Sequence, residues 1–168
     1  MAFVCLGVEY IQTGIAEFIT FIVLNRIMEE ILILIAEDDA DDRFLLQSAF
    51  EENGYKDRLC FVENGIELME YLRKPTEDCG AKLPRFVLLD LNMPKKDGRE
   101  VLKEIKQDEV LKHIPVIIFS TTNNEQEMKR CYELGANSYI TKPNSFDNLI
   151  KTVAALRSYW INTTSIPS

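Results

Sequence analysis

Short apolar runs alternate with amphipathic stretches five times along the chain. The apolar runs lack polar alternation, which is typical of strands covered on both faces in a parallel sheet. The stretches between them carry apolar residues at helical spacing, with stop or cap signals at Asn53-Gly54, Gly135 and Ser145. This order predicts βαβ units. We expect strands near 31–36, 58–62, 85–90, 115–119 and 138–141, and helices near 41–52, 65–72, 98–108, 124–134 and 146–160.

Charged side chains follow three of the predicted strands, at the point where each strand ends. Glu37 and Asp38 come directly after the first strand, Asp90 follows the third, and Lys142 follows the fifth. Because the crevice of such a sheet lies beyond the carboxyl ends of its strands, we expect these groups to meet there. Mg²⁺ is typically held by one or two carboxylates plus phosphate oxygens. The pattern therefore predicts a site for a divalent cation and a phosphoryl group, where the ion and Lys142 offset the repulsion between the acids.

Five separated elements of the sequence resemble the receiver domain of two-component response regulators. They are Glu37-Asp38, the run Asp90-Leu91-Asn92-Met93-Pro94 with Asp97-Gly98, Ser120 after an apolar strand, Tyr139, and Lys142-Pro143. The resemblance covers residues 30–160 and implies a flavodoxin-like doubly wound (βα)5 fold with a parallel five-stranded sheet, order 2-1-3-4-5. The chain is also similar to the stand-alone, phytochrome-associated cyanobacterial subgroup, through Asp41-Asp42-Arg43, the long 73–84 connection and a last helix ending in Tyr159-Trp160.

The resemblance implies a role for each acid. Asp90 would be the nucleophile that takes a phosphoryl group from a phosphohistidine and holds it as an acyl phosphate. Asp38 and Asp90 would bind Mg²⁺ directly and Glu37 would bind it in the outer shell. The backbone carbonyl of Asn92 would supply the third protein contact.

The resemblance also implies roles for the residues of the last two strands. Lys142 would bridge to the phosphoryl group, with a cis peptide bond to Pro143 directing its ammonium inward. Ser120 would donate a hydrogen bond to a phosphoryl oxygen, and Tyr139 would change rotamer as Ser120 is drawn toward the phosphate. Thr121 departs from the smaller residue that the family often has there, and its larger side chain would narrow access to the site.

Simpler structural roles compete for several of these residues. Acids at a helix N terminus are favoured as caps, and this is the interpretation that we prefer for Asp39, Asp41 and Asp42. For Ser120, the alternative is an ordinary turn residue at the end of a strand. For Tyr139, the alternative is an ordinary tyrosine on an edge strand.

Composition excludes some classes of function. The 168 residues fit one domain, and 19 basic residues against 27 acids give a net charge of −8. This charge argues against a nucleic-acid partner, whose binding depends on cationic contacts to phosphate. The four cysteines are scattered and the chain has one histidine, so neither a zinc site nor a disulfide framework is expected. A cytoplasmic location follows as the default.

Residues 1–29 stand outside the alternating pattern. Their apolar patches are interrupted by Glu9, Gln12 and Glu17, and they lack a basic segment and a cleavage signal. The uninterrupted apolar length falls short of the roughly 20 residues of a spanning helix, so no membrane span is expected. The preferred interpretation is upstream sequence outside the native start, since Met28 stands just before the first strand. A docked helix comes second, and a weakly membrane-associating segment third. Residues 161–168 are expected to form a polar tail.

These observations lead to a prediction of function. We expect a single-domain response regulator, phosphorylated on Asp90 by a histidine kinase or phosphotransfer protein, that catalyses only its own phosphorylation and dephosphorylation. Because the sequence shows no pattern of an effector domain, we expect the protein to signal through the face formed by helix 4, strand 5 and helix 5. It would do so by forming a homodimer or by binding a target. One alternative is a receiver-like interaction module that works without phosphate. A less favoured one is an aspartate-nucleophile phosphatase, which would need an acid where this chain has Asn92.

Overall fold

A computed structural model describes residues 31–164 except 56–57, 76 and 78–81. Within this part of the chain, strands and helices alternate. The elements are β1 (Leu32–Ala36), α1 (Ala40–Glu52), β2 (Arg58–Val62), α2 (Gly65–Arg73), β3 (Phe86–Leu89), α3 (Gly98–Gln107), β4 (Val116–Ser120), α4 (Glu125–Glu133), β5 (Ser138–Thr141) and α5 (Phe146–Arg157). A 3-10 turn at Leu111–His113 precedes β4, and a π-helical turn at Ser158–Thr163 follows α5.

The five strands form one parallel sheet in the order β2-β1-β3-β4-β5. This confirms the predicted fold and strand order. Strands β1, β3 and β4 are buried along their whole length, which explains their continuous apolar runs. Alternate residues enter opposite apolar clusters: Leu34 packs into one, and its neighbours Ile33 and Ile35 pack into the other. Helices therefore cover both faces, and the carboxyl ends of the strands stay open.

Side-chain caps fix the beginnings of the helices. Asp39 accepts hydrogen bonds from the amides of Asp41 and Asp42 at the start of α1, as predicted. Ser145 accepts from Asn148 at the start of α5. These bonds satisfy N–H groups that have no partner inside the helix.

The end of the last helix differs from the prediction. The α-helix ends at Arg157, and the chain continues as the π-helical turn to Thr163. Trp160 and Ile161 pack against the core on this face of the sheet. Arg85, just before β3, donates to the carbonyl of Thr164 at 2.8 Å. The first residues of the predicted tail are thus held against the domain.

The cysteines also differ from expectation. Cys60 on β2 is disulfide-bonded, with its partner outside the described residues, whereas Cys131 is free and buried. The sequence did not predict this bond because spacing along the chain does not reveal which thiols meet in space.

Residues 1–30 form a unit distinct from residues 31–168. The predictions for the N-terminal segment fall on residues outside the described part of the chain. Among the helices of the described residues, none has the length and apolar character to cross a bilayer.

Candidate functional site

The predicted charged residues lie at the carboxyl edge of the sheet. Asp90 directly follows β3, and its amide donates to the carbonyl of Ala36 at the end of β1 at 3.0 Å. The amide of Lys142, directly after β5, donates to the carbonyl of Ser120 at the end of β4 at 2.8 Å. These bonds extend the sheet past the ends of the strands, so the site residues stand on a fixed backbone.

Lys142 is the centre of the site. Its ammonium lies 2.7 Å from Glu37 Oε2, 2.8 Å from Asp42 Oδ2 and 2.9 Å from Asp90 Oδ2. An ammonium has three N–H donors, so each of them has one carboxylate partner. The Phe119 ring centroid lies 5.9 Å from the same nitrogen. Only 10% of the Lys142 side chain is exposed, so these contacts hold the ammonium largely away from solvent.

Three carboxylates form a group that fits a divalent cation. Glu37, Asp38 and Asp90 each place an oxygen within 4.8 Å of the other two. Glu37 and Asp90 are buried while Asp38 is exposed, so the group is reached from solvent on one side. The Asn92 amide donates to Asp90 Oδ1 at a long 3.3 Å. All-oxygen donors open to water are what Mg²⁺ and similar hard ions select.

The charges of the site shift proton affinities in opposite directions. Burial raises the pKa of Glu37 to about 7, although the hydrogen bond and charge of Lys142 act against the increase. For Lys142, burial favours the neutral form, but the hydrogen bonds that its ammonium donates to Asp42, Glu37 and Asp90 outweigh burial and raise the pKa above its ordinary value. Lys142 is therefore a cation throughout the physiological range, whereas Glu37 takes up a proton near neutral pH in the metal-free protein.

Two residues that the sequence analysis did not assign to the site belong to it. Arg43 donates to the carbonyls of Glu37 at 2.9 Å and Asp38 at 2.8 Å, and also to the Glu63 carboxylate at 3.0 Å. It thereby ties the loop that carries both acids to α1. Asp42, for which we prefer a capping role from sequence, instead turns its carboxylate to Lys142. Both residues lie in the first turn of the helix that follows the acids and in the Asp41-Asp42-Arg43 run that resembles the phytochrome-associated subgroup, but neither signal indicates these contacts.

Ser120 and Tyr139 lie next to each other at the end of the sheet. Ser120 is fully buried, and the amide of Thr122 donates to its Oγ at 3.4 Å. The Tyr139 hydroxyl donates to the carbonyl of Thr122 at 2.9 Å. Burial raises the pKa of Tyr139 above its usual value. Both side chains thus engage the loop between β4 and α4, while the predicted rotamer change of Tyr139 stays a prediction.

Gly98 allows the loop after Asp90 to pack closely. A Cβ at this position would lie 2.2 Å from the Asp90 carbonyl oxygen and 2.8 Å from the Leu91 Cα. The Gly98 amide also donates to the Leu91 carbonyl at 2.9 Å. Only glycine permits this approach.

One structural expectation at the site is wrong. No peptide bond within the described residues is cis, so Lys142 and Pro143 are joined by a trans bond. Trans is the more stable form of most X-Pro bonds, and the long Lys142 side chain reaches the acids from this backbone.

Comparison with known proteins agrees with the geometry. Residues 33–154 match the response regulator receiver domain. The chain is 39% identical over 137 residues to the response regulator Rcp1 of Synechocystis sp., a match that covers 82% of this chain and 93% of Rcp1. The crystal structure of the phosphorylated cyanobacterial phytochrome response regulator RcpA has a TM-score of 0.76 at 41% identity, covering 83% of this chain and 99% of RcpA. The Mn²⁺-bound form of Rcp1 has a TM-score of 0.73 at 39% identity, covering 82% and 99% of the two chains.

The fold and the acidic crevice define a doubly wound α/β protein with its site at the carboxyl edge of a parallel sheet. The chain belongs to the response regulator receiver domain family. Proteins of this family are signalling proteins that accept phosphoryl groups in two-component systems, and the predicted class of function is confirmed.

Proposed function

We propose that Asp90 accepts the phosphoryl group, with a bound Mg²⁺ and Lys142 as its electrostatic support. One observation carries the proposal: buried Asp90 shares the ammonium of Lys142 with Glu37, at 2.9 and 2.7 Å, beside the three-carboxylate group. Asp38 and Asp90 would bind the ion directly, Glu37 would bind it through the outer shell, and the Asn92 carbonyl would complete the protein contacts.

The reaction is a phosphoryl transfer between two side chains. An oxygen of Asp90 attacks the phosphorus of a phosphohistidine on a histidine kinase or phosphotransfer protein. The P–O bond forms as the P–N bond breaks, and the electron pair of that bond returns to the imidazole nitrogen. When bound, Mg²⁺ supplies charge neutralisation for the acids and the phosphoryl oxygens. Lys142 and the Ser120 hydroxyl donate hydrogen bonds to those oxygens, since this chemistry needs positioning and charge stabilisation above all.

The relatives support this assignment. RcpA is described in a phosphorylated form and Rcp1 in an Mn²⁺-bound form. The same divalent-cation chemistry suits the carboxylates of this chain. A histidine kinase or phosphotransfer partner acts inside the cell, so the proposed location is the cytoplasm. Asn92 stands where an aspartate-nucleophile phosphatase would need an acid, so we propose no turnover beyond the protein's own phosphorylation and dephosphorylation.

Intact mass spectrometry tests the proposal. The purified chain, incubated with Mg²⁺ and acetyl phosphate, is expected to gain one phosphoryl group and to gain none with a chelator. Asp90→Asn should stay unlabelled. Asp41→Asn changes an exposed acid near the site and should label like the wild type. Equal labelling of Asp90→Asn would place the nucleophile elsewhere.

We also propose that the output passes through the α4, β5 and α5 side, as a homodimer or with a target. The exposed aromatic side chains of Tyr132 on α4 and Tyr159 after α5 support an interaction surface, at 51% and 55% exposure. Trp160 contributes less than its sequence suggests, because it packs on its own core. Sedimentation velocity with and without Mg²⁺ and beryllofluoride should show tighter self-association with the phosphoryl analogue, and Tyr132→Ala with Tyr159→Ala should weaken it. A monomer under all conditions would leave target binding as the output.

A further inference from the structure

We propose that Arg43 is a positioning residue for the cation site, because it holds the backbone on both sides of Asp38 and so directs that carboxylate toward the ion. The inference rests on the proposed function, in which Asp38 binds Mg²⁺ directly. Arg43 would thus set the affinity of the site for the cation without contacting the cation itself.

The Asp38 carboxylate depends on its backbone for its position. Asp38 is exposed, whereas Glu37 and Asp90, the other two acids of the group, are buried. Both of those acids are held by the ammonium of Lys142. Among the residues that the structure describes, none forms a hydrogen bond or an ion pair with the carboxylate of Asp38. The direction of this side chain therefore follows from the conformation of the chain that carries it.

Arg43 holds the two peptide groups that flank the Asp38 Cα. Its Nη1 donates to the carbonyl of Glu37 at 2.9 Å, in the peptide group before that Cα. The same nitrogen donates to the carbonyl of Asp38 at 2.8 Å, in the peptide group after it. Because each peptide group is planar, holding both of them restrains the φ and ψ angles of Asp38 and the direction of its Cα–Cβ bond.

Arg43 is itself held in place. Its Nη2 donates at 3.0 Å to Oε1 of Glu63, the residue that directly follows β2. The side chain of Arg43 is only 20% exposed. A guanidinium presents its N–H donors in a rigid planar fork, so the bond to Glu63 also orients the two donors that face the backbone. The Glu63 carboxylate balances the charge of the guanidinium, which would otherwise repel a cation in the site.

Positioning and charge predict opposite effects of removing Arg43. If the guanidinium acted through its charge alone, its loss would reduce the repulsion of Mg²⁺, and binding would become tighter. If it positions Asp38, its loss leaves a ligand less ordered, and binding becomes weaker. Replacing a residue that orients a metal ligand typically weakens metal binding by roughly 10- to 100-fold. We expect the lower end, about tenfold, because Asp38 is one of several oxygen donors.

Titration with Mn²⁺, followed by the electron paramagnetic resonance of the free ion and repeated in competition with Mg²⁺, tests the proposal. Arg43→Met keeps an unbranched apolar side chain and should bind both ions about tenfold more weakly than the wild type. Arg43→Lys keeps the charge but lacks the planar fork, should also bind more weakly, and replaces Arg43→Met in the test if that variant does not fold.

Arg73→Met is the matched control. Arg73 also pairs with a glutamate, Glu104, but it lies at the end of α2 and has no contact with the acids of the site. Its replacement removes the same charge from the protein, and the affinity for both ions should stay that of the wild type. A folded Arg43 variant that binds the ions as tightly as the wild type, or more tightly, overturns the proposal.

A crystal structure of Arg43→Met separates positioning from a general loss of stability. The peptide groups on either side of Asp38 should be rotated or occupy more than one conformation, while β1 and α1 stay in place. An Asp38 carboxylate that keeps its wild-type position would also overturn the proposal.

The proposed function fails separately. A wild type that binds neither ion, or an Asp38→Asn variant that binds both as tightly as the wild type, contradicts the cation site itself. A wild type that binds both ions, with unchanged affinity in the Arg43 variants, contradicts only the role of Arg43.

Discussion

Replacing Glu37 by glutamine should change how the stability of the metal-free protein depends on pH. In the folded protein burial raises the pKa of Glu37 to about 7, from 4.5 in a free chain. Below the lower value both states hold the proton, and folding bears no penalty. As the pH rises toward 7 the unfolded chain loses its proton first, so stability is lost over this window and levels off above it. Glutamine does not titrate, and the variant lacks this loss.

The magnitude follows from the two pKa values. Each tenfold difference in proton affinity corresponds to about 1.36 kcal/mol, so the interval from 4.5 to about 7 corresponds to about 3 kcal/mol. Solvent screening reduces this little, because the Glu37 side chain is only 2% exposed. Lys142 stays charged across the window and contributes no pH dependence there.

Urea denaturation with a chelator, at several pH values between 4.5 and 8, measures the effect. The free energy of unfolding of the wild type, minus that of Glu37→Gln, should fall by about 3 kcal/mol across this range. Glu52→Gln, at an exposed position on α1, should give a curve parallel to the wild type. Saturating Mg²⁺ should remove most of the difference, because the cation favours ionised Glu37. Parallel curves for the wild type and Glu37→Gln without metal would contradict the raised pKa of Glu37.

Three further predictions concern the scaffold. Gly98→Ala should destabilise the protein by about 2 kcal/mol in urea denaturation, because the added Cβ would lie 2.2 Å from a backbone oxygen, and it should slow labelling by acetyl phosphate. Gly54→Ala is the control, since a Cβ there meets open space. Its φ of +68° should lower the free energy of unfolding by only about 1 kcal/mol, and labelling should not change. Lys106→Met should lower stability by about 2 kcal/mol, since the ammonium donates to two backbone carbonyls and to the Asn137 side chain, and equal melting of variant and wild type would contradict this. Removing Met1–Met28 should leave a folded domain that is still phosphorylated. Aggregation or a clearly lower melting temperature of the shortened protein would instead show that this segment is an integral part of the domain.

The fold could be predicted from the sequence because buried parallel strands leave a clear trace. The run from Phe86 to Leu89 is apolar without interruption, and the structure buries all of it. The site followed from the same topology, since strands that run parallel bring Glu37, Asp90 and Lys142 to one edge. The parallel direction of the strands is enough to place these three residues together.

The features that the sequence did not reveal depend on side-chain direction. Asp39 and Asp42 both belong to the start of α1, yet only one caps the helix while the other contacts Lys142. Their positions along the chain do not distinguish these roles. The π-helical turn after Arg157 has no stop signal before it. The disulfide at Cys60 depends on which thiols are close in space.

Chemical location of the phosphoryl group tests directly whether Asp90 is the phosphoryl acceptor. After incubation with Mg²⁺ and acetyl phosphate, borohydride reduction of an aspartyl phosphate converts that aspartate to homoserine, which peptide mass spectrometry assigns to one position. We expect homoserine at position 90 alone, in a reaction that a chelator abolishes. Homoserine at another acid of the site, or none at position 90 in a protein that gained the phosphoryl mass, would contradict it.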